Sequence, residues 1–84
     1  MINFSEVMQR IKTILYSQIK KDKILDKDIA LALQLDPQYY AVMKKRNKIP
    51  YEAIAYFSKE YRLNMNWILF AQKPQYLITA NVIP

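Results

Sequence analysis

Apolar positions recur at three- and four-residue intervals from the start of the chain. Phe4, Val7, Met8, Ile11, Ile14 and Leu15 follow that spacing, and Gln18 extends it with a polar residue. A period near 3.6 places such residues on one face of an amphipathic helix. Asn3, with Glu6 three residues later, has the form of a capping box, so the first helix is predicted over 4–19. "KKDK", residues 20–23, is its solvated exit. Ile29, Ala30 and Leu33 make a second, shorter stripe, predicting a helix over 27–33 capped by Asp26. Asp36 followed by Pro37 reads as an N-cap with proline at the first helical position, where its missing N–H costs nothing. The third helix is predicted over 37–45, with Tyr40, Met43 and Ala41 turned inward. "RNKI" ends it, and Pro50 opens a fourth helix with Ile54, Phe57 and Tyr61 inward, helped by Ala53 and Ala55. Asn64 caps a fifth, "MNWILF". The last eleven residues, "PQYLITANVIP", are proline-flanked and β-branched and read as extended. The pattern implies an all-α fold of five helices in one domain, residues 1–73, followed by an extended tail or the start of a linker, 74–84.

Composition narrows the function classes. Eighty-four residues make one domain with a thin core. There is no cysteine, so neither disulfides nor thiolate metal sites are available, and no histidine. Histidine is the commonest general base and metal ligand. The seven acids are scattered singly, mostly at helix starts. No catalytic residues, metal or cofactor are therefore expected, and an enzyme is not. There is also no glycine, where average usage is roughly 7%. That argues against phosphate loops and Rossmann turns, which need close backbone approach or φ > 0. Asn3, Glu6, Gln9 and Arg10 interrupt any leader-like stretch, and no apolar run approaches the ~18 residues of a membrane span. A soluble, cytoplasmic chain with no membrane partner is the expectation.

The net charge is +6 and the pI near 9.6. Such a balance favours an anionic partner, although excess lysine also keeps small domains soluble. Location decides between these. The densest charge lies in "YYAVMKKRNKIPYE", residues 39–52, where Lys44, Lys45, Arg46 and Lys48 follow two tyrosines. A short helix, a tight turn and a second short helix ending in a basic run is the pattern of a helix-turn-helix. The spacing alone is shared by any small helical bundle.

More specific is "DKDIALALQLDPQYYAVMKKRNKIPYEAIAYFSKEYRLNMNWILF", residues 26–70. It resembles, without a gap, the DNA-binding domain of phage CI-type repressors, within the lambda-repressor-like group. "KKRNKIPYE" and "NMNWILF", at their separation, carry most of the likeness. The resemblance implies a five-helix lambda-repressor-like helix-turn-helix fold and a repressor that binds an operator. In that frame Ala30 stands at the close crossing of the second and third helices. Leu35 is the core residue of the turn, Tyr40 and Met43 hold the inward positions of the third helix, and Ile49 and Pro50 anchor the next corner. Trp67 fits the family's core tryptophan. Three departures stand out. Gln34 lies where the family has a glycine with φ > 0, and Met43 replaces a tryptophan. The self-cleaving C-terminal domain common in the family has no room here, so a naturally short regulator and an N-terminal domain of a longer one both stay open.

The same resemblance makes the third helix the recognition helix. Gln38 would read an adenine edge, Val42 a thymine methyl, and Tyr39 a base edge or a phosphate. Lys44, Lys45, Arg46 and Lys48, with Gln34 and Asn47, would hold phosphates, which orient a protein without reading sequence. The implied partner is double-stranded DNA, a palindromic operator bound by a homodimer. The alternative is a protein-interaction module on the same fold, such as an antitoxin or a phage or plasmid adaptor. Tyr39 and Val42 would then be interface anchors.

Overall fold

A computed structural model describes residues 1–77. It is all-helical: α1 Phe4–Ile19, α2 Asp26–Ala32, α3 Pro37–Arg46, α4 Tyr51–Tyr61 and α5 Met65–Phe70. α1 forms where the apolar spacing places it. The Asn3 side chain accepts from the Glu6 N–H at 3.1 Å, and all six apolar stripe residues are buried. α1 is the hub, packing on α2 and α5, while α2 pairs with α3 and α4 with α5. Ile11, Ile14, Leu15, Ile54 and Ile68 are wholly enclosed at the centre.

The start of α2 differs from the sequence expectation. Leu25 is the N-cap residue and Asp26 already lies inside the helix. The carboxylate that serves the helix start is Asp28, whose Oδ2 accepts from the Leu25 N–H at 2.8 Å. That bond, and then Lys21 at 3.0 Å, hold the Asp28 carboxyl below its ordinary range. Asp26 is left to face α3. Two alanines expected inward also point out. Ala41 and Ala55 are exposed, whereas Ser58 is buried and its Oγ donates to the Ile54 carbonyl at 2.7 Å. On α4 the row 54, 57, 58, 61 shares one face at helical spacing, and position 55 lies off it. Trp67 stands at the rim of the core, half-buried, while its neighbour Ile68 is fully enclosed.

With no glycine to use, every helix ends on a residue carrying a Cβ. Lys20, Gln34, Asn47, Arg62 and Ala71 all have φ between 53° and 60°. Only asparagine among these visits the left-handed region readily, and the others pay about 1–2 kcal/mol each. Capping bonds offset the strain. Leu35, Lys48 and Leu63 each donate back to a carbonyl five residues earlier, on Ala30, Met43 and Ser58, at 2.8–2.9 Å. This is the Schellman closure, in which the following apolar residue packs on the helix it ends. Leu63 is buried and Leu35 half-buried in that role.

Three side chains tie distant segments together. The Asn47 Oδ1, at the end of α3, accepts from the Phe4 N–H at the start of α1 at 2.8 Å. The Phe4 ring meets Tyr40 at 5.3 Å between centroids, tilted by 60°. Arg10 donates from Nε to the Ile68 carbonyl at 2.6 Å and from Nη2 to Leu69 at 3.2 Å. It thus places a cation on the negative end of α5. The chain after α5 folds back on the α4–α5 junction. Asn64 Nδ2 donates to Pro74 at 2.8 Å, Leu77 N–H donates to Arg62, and Leu63 and Tyr76 form an antiparallel bridge. Positions 78–84 of the expected extended tail lie outside the described residues. Among the described residues no helix is long and apolar enough to cross a membrane.

Candidate nucleic-acid interface

α2 and α3 are joined by the four residues 33–36. Gln34 takes the positive φ, 57°, that this turn needs, so the chain accepts the strain at the expected glycine position. Asp36 then caps α3, its Oδ1 accepting from the N–H of Gln38 at 2.8 Å and of Tyr39 at 3.3 Å. Pro37 occupies the first turn.

α3 is anchored along one narrow line. Tyr40 is buried, Met43 is half-buried, and the other eight residues are exposed. At 100° per residue, Gln38, Ala41, Val42 and Lys45 share the face opposite that line. Tyr39 and Arg46 fall on the flank nearer α4, and Lys44 on the flank nearer α2. The structure therefore divides the phosphate set. Lys45 and Arg46 are exposed near the outward face, and Lys48 is exposed in the following loop. Lys44 turns away and pairs with Asp26 at 2.7 Å. Both partners are more than half exposed, so the pair adds at most about 1 kcal/mol. Its main effect is to occupy the lysine. Asn47 is committed through its Oδ1 to the Phe4 N–H, a structural duty the sequence did not announce. Gln34 is exposed at the turn, beside Tyr39.

The basic run has a local cause as well. Lys44, Lys45 and Arg46 fill the last turn of α3, where cations favour the helix dipole. Tyr40 contributes no charge, because burial, and secondly Asp26, push its hydroxyl up to about 12. Leu35, Ile49 and Pro50 line a groove of about 640 Å3 between α3 and α4. Its mouth carries Tyr39, Tyr51 and Tyr56. Of the expected core, Ala30 and Pro50 are buried, while Leu35, Ile49 and Met43 are half-buried on the groove side. Among the described residues, no three acidic side chains come together in a way that would hold a metal ion. No family model matches the chain, nor does any curated protein or solved structure.

Proposed function

We propose that this chain binds double-stranded DNA sequence-specifically as a helix-turn-helix transcription regulator of the phage-repressor type, with α3 in the major groove. The observation that carries this reading is the one-sided anchoring of α3. Its Tyr40–Met43 line holds it to the body, and its opposite face is exposed, with no partner among the described residues. Gln38 near the start of that face has the donor and acceptor that an adenine edge requires, and Val42 offers a methyl contact to thymine. Lys45, Arg46 and Lys48 follow where the phosphate backbone passes, and they set register. Lys44, held by Asp26, has a smaller share in this arrangement than its neighbours. Tyr39 on the flank suits a sugar or phosphate contact better than the centre of the groove. The reading is of a cytoplasmic, non-enzymatic protein that acts by occupying its operator. A symmetric pair of copies would favour a palindrome with half-sites about one helical turn apart.

Selection from a random duplex library at low salt tests it. An enriched motif is expected. On that motif Gln38→Ala costs about 1–3 kcal/mol and changes little on random DNA. Lys45→Ala and Arg46→Ala weaken both, each lowering the slope of log K against log salt by about 0.9. Lys44→Ala lowers it less. If no motif emerges and Gln38→Ala and Arg46→Ala act alike on every sequence, α3 does not read bases. The protein-interaction reading then replaces this one.

A further inference from the structure

The groove between α3 and α4 has a charge of its own. Glu52, Tyr56 and Glu60 follow one another at four-residue spacing on α4, all exposed and all lining the groove. Such residues form a row along the helix surface, with the two carboxylates about 12 Å apart along the axis. Tyr56, at 65%, is the most exposed tyrosine in the described chain. The ion pairs among the described residues use Asp26 and Asp28, so neither glutamate is neutralised. Glu60 stands in the last turn of α4, where the helix dipole disfavours a carboxylate. It opposes the local stability of its own helix. The result is an aromatic slot rimmed by unpaired negative charge, in a chain whose net charge is +6.

A complementary surface lies on the same chain. Tyr16 and Ile19 lie three residues apart at the end of α1, where Ile19 continues the Ile11–Leu15 row beyond the core and Tyr16 stands on its outer flank; they are 43% and 41% exposed. The exposed residues Lys20 to Lys23 follow directly. Lys21 is held by Asp28, and Lys20 and Lys23 make no ion pair. Asp22 lies between them and is also outside the ion pairs, so this surface is an apolar pair rimmed by two free cations and one carboxylate, net positive. We propose that the α3–α4 groove of one copy receives the C-terminal end of α1 from a second copy. Tyr16 and Ile19 then pack on Met43 and Tyr56, and Lys20 and Lys23 face Glu52 and Glu60. Lysine over a tyrosine face adds a cation–π contribution. The two surfaces are different patches, so one copy's groove takes the other copy's α1 end, and the rotation between copies sets whether the assembly closes or runs on as a chain. This inference does not rest on DNA binding: the groove's lining shares Tyr39 and Gln34 with the proposed DNA surface, but the four charges that define the contact, Lys20, Lys23, Glu52 and Glu60, lie outside it.

Sedimentation of the full chain, from low to high micromolar concentration and without DNA, reads the contact directly. Wild type is expected to self-associate. The double variant E52K/E60K and the double variant K20E/K23E each weaken association at least tenfold. Mixing the two variants restores it, because each supplies the surface that the other now matches. Tyr16→Ser with Ile19→Ser leaves every charge in place and also weakens association tenfold. The melting temperature of E52K/E60K should stay close to wild type, since the dipole gain of Glu60→Lys in the last turn offsets the loss from Glu52→Lys in the first turn, which separates lost contact from lost fold. A wild type that stays monomeric overturns the proposal. So do charge variants that associate like wild type, or a mixture that remains as weak as its components.

Discussion

α1 and α3 are both helices that begin on a capped turn, and they divide the work of the molecule. α1 buries six of its sixteen residues, and α3 buries one of its ten. α1 is amphipathic in the ordinary sense, its stripe wide enough to organise α2 and α5 around it. α3 is fastened by Tyr40 and Met43, pairs Lys44 with Asp26 on one flank, and leaves the face of Gln38, Ala41, Val42 and Lys45 exposed. The difference teaches where stability and function are separable. Changes on α1 should be read out in folding, and changes on the outer face of α3 in binding.

The largest expected effect tests the stabilising side of that contrast. Ile11 is fully enclosed, and Ile11→Ala should cost about 2–5 kcal/mol in a denaturant titration. Val42→Ala, on the exposed face of α3, should stay within about 0.5 kcal/mol of wild type. Comparable losses for the two would mean that α3 is packed on both sides.

A smaller effect comes from the one anchor that titrates. Tyr40 ionises near 10.0 when unfolded and is pushed up to about 12 in the fold by burial, with Asp26 adding to it. The native state therefore keeps its proton longer. This contribution is complete below pH 10 and is lost as pH rises toward about 12, roughly 2–3 kcal/mol in all. Tyr40→Phe, which keeps the ring against Phe4, should flatten the alkaline fall in stability within that window. An unchanged alkaline profile in that variant would place the hydroxyl in water.

Next is the bond that joins the two helices end to end. Asn47→Ala removes the acceptor for the Phe4 N–H and puts alanine at φ 53°. About 1–2 kcal/mol should be lost. Hydrogen exchange at the Phe4 amide should rise with it, and exchange that does not change would show that the amide has another partner.

The smallest effect has the opposite sign. Gln34→Gly relieves the left-handed strain at the turn between α2 and α3, at the cost of a freer unfolded chain. A net gain of about 0.5–1 kcal/mol is expected, visible as a higher melting temperature. A loss of stability would mean that the Gln34 side chain makes a contact worth more than the strain.

How much of this was legible beforehand depends on range. The strained position at Gln34 was implied by the family resemblance, whereas the limits of α1 and the caps at Asn3, Asp36 and Asn64 are local matters. Periodicity, a short polar side chain before an apolar run, and a turn of known length determine them within a few residues. The apolar residues that face inward on α1 followed for the same reason. What escaped was set by partners far along the chain. Arg10 meets carbonyls 58 and 59 residues away, and Asn47 meets an amide 43 residues away. Lys44 reads as one more cation in a run, yet the rotation of α3 brings it to Asp26, eighteen residues back. Asp26 does not cap α2 because Leu25 holds the N-cap position and Asp28 serves the helix start. Trp67 and Ile68 are neighbours in sequence, and only the angle at which α5 meets α1 decides which of them is enclosed. The row of Glu52, Tyr56 and Glu60 was present in the sequence as spacing, but a row becomes a groove only when α3 stands opposite. Sequence by itself determined the five helices and, apart from the cap of α2, where they begin, because those depend on contacts within one or two turns. The tertiary structure decided which charges are free and which are spent, because a side chain's partner is whatever the packing of whole helices brings within reach.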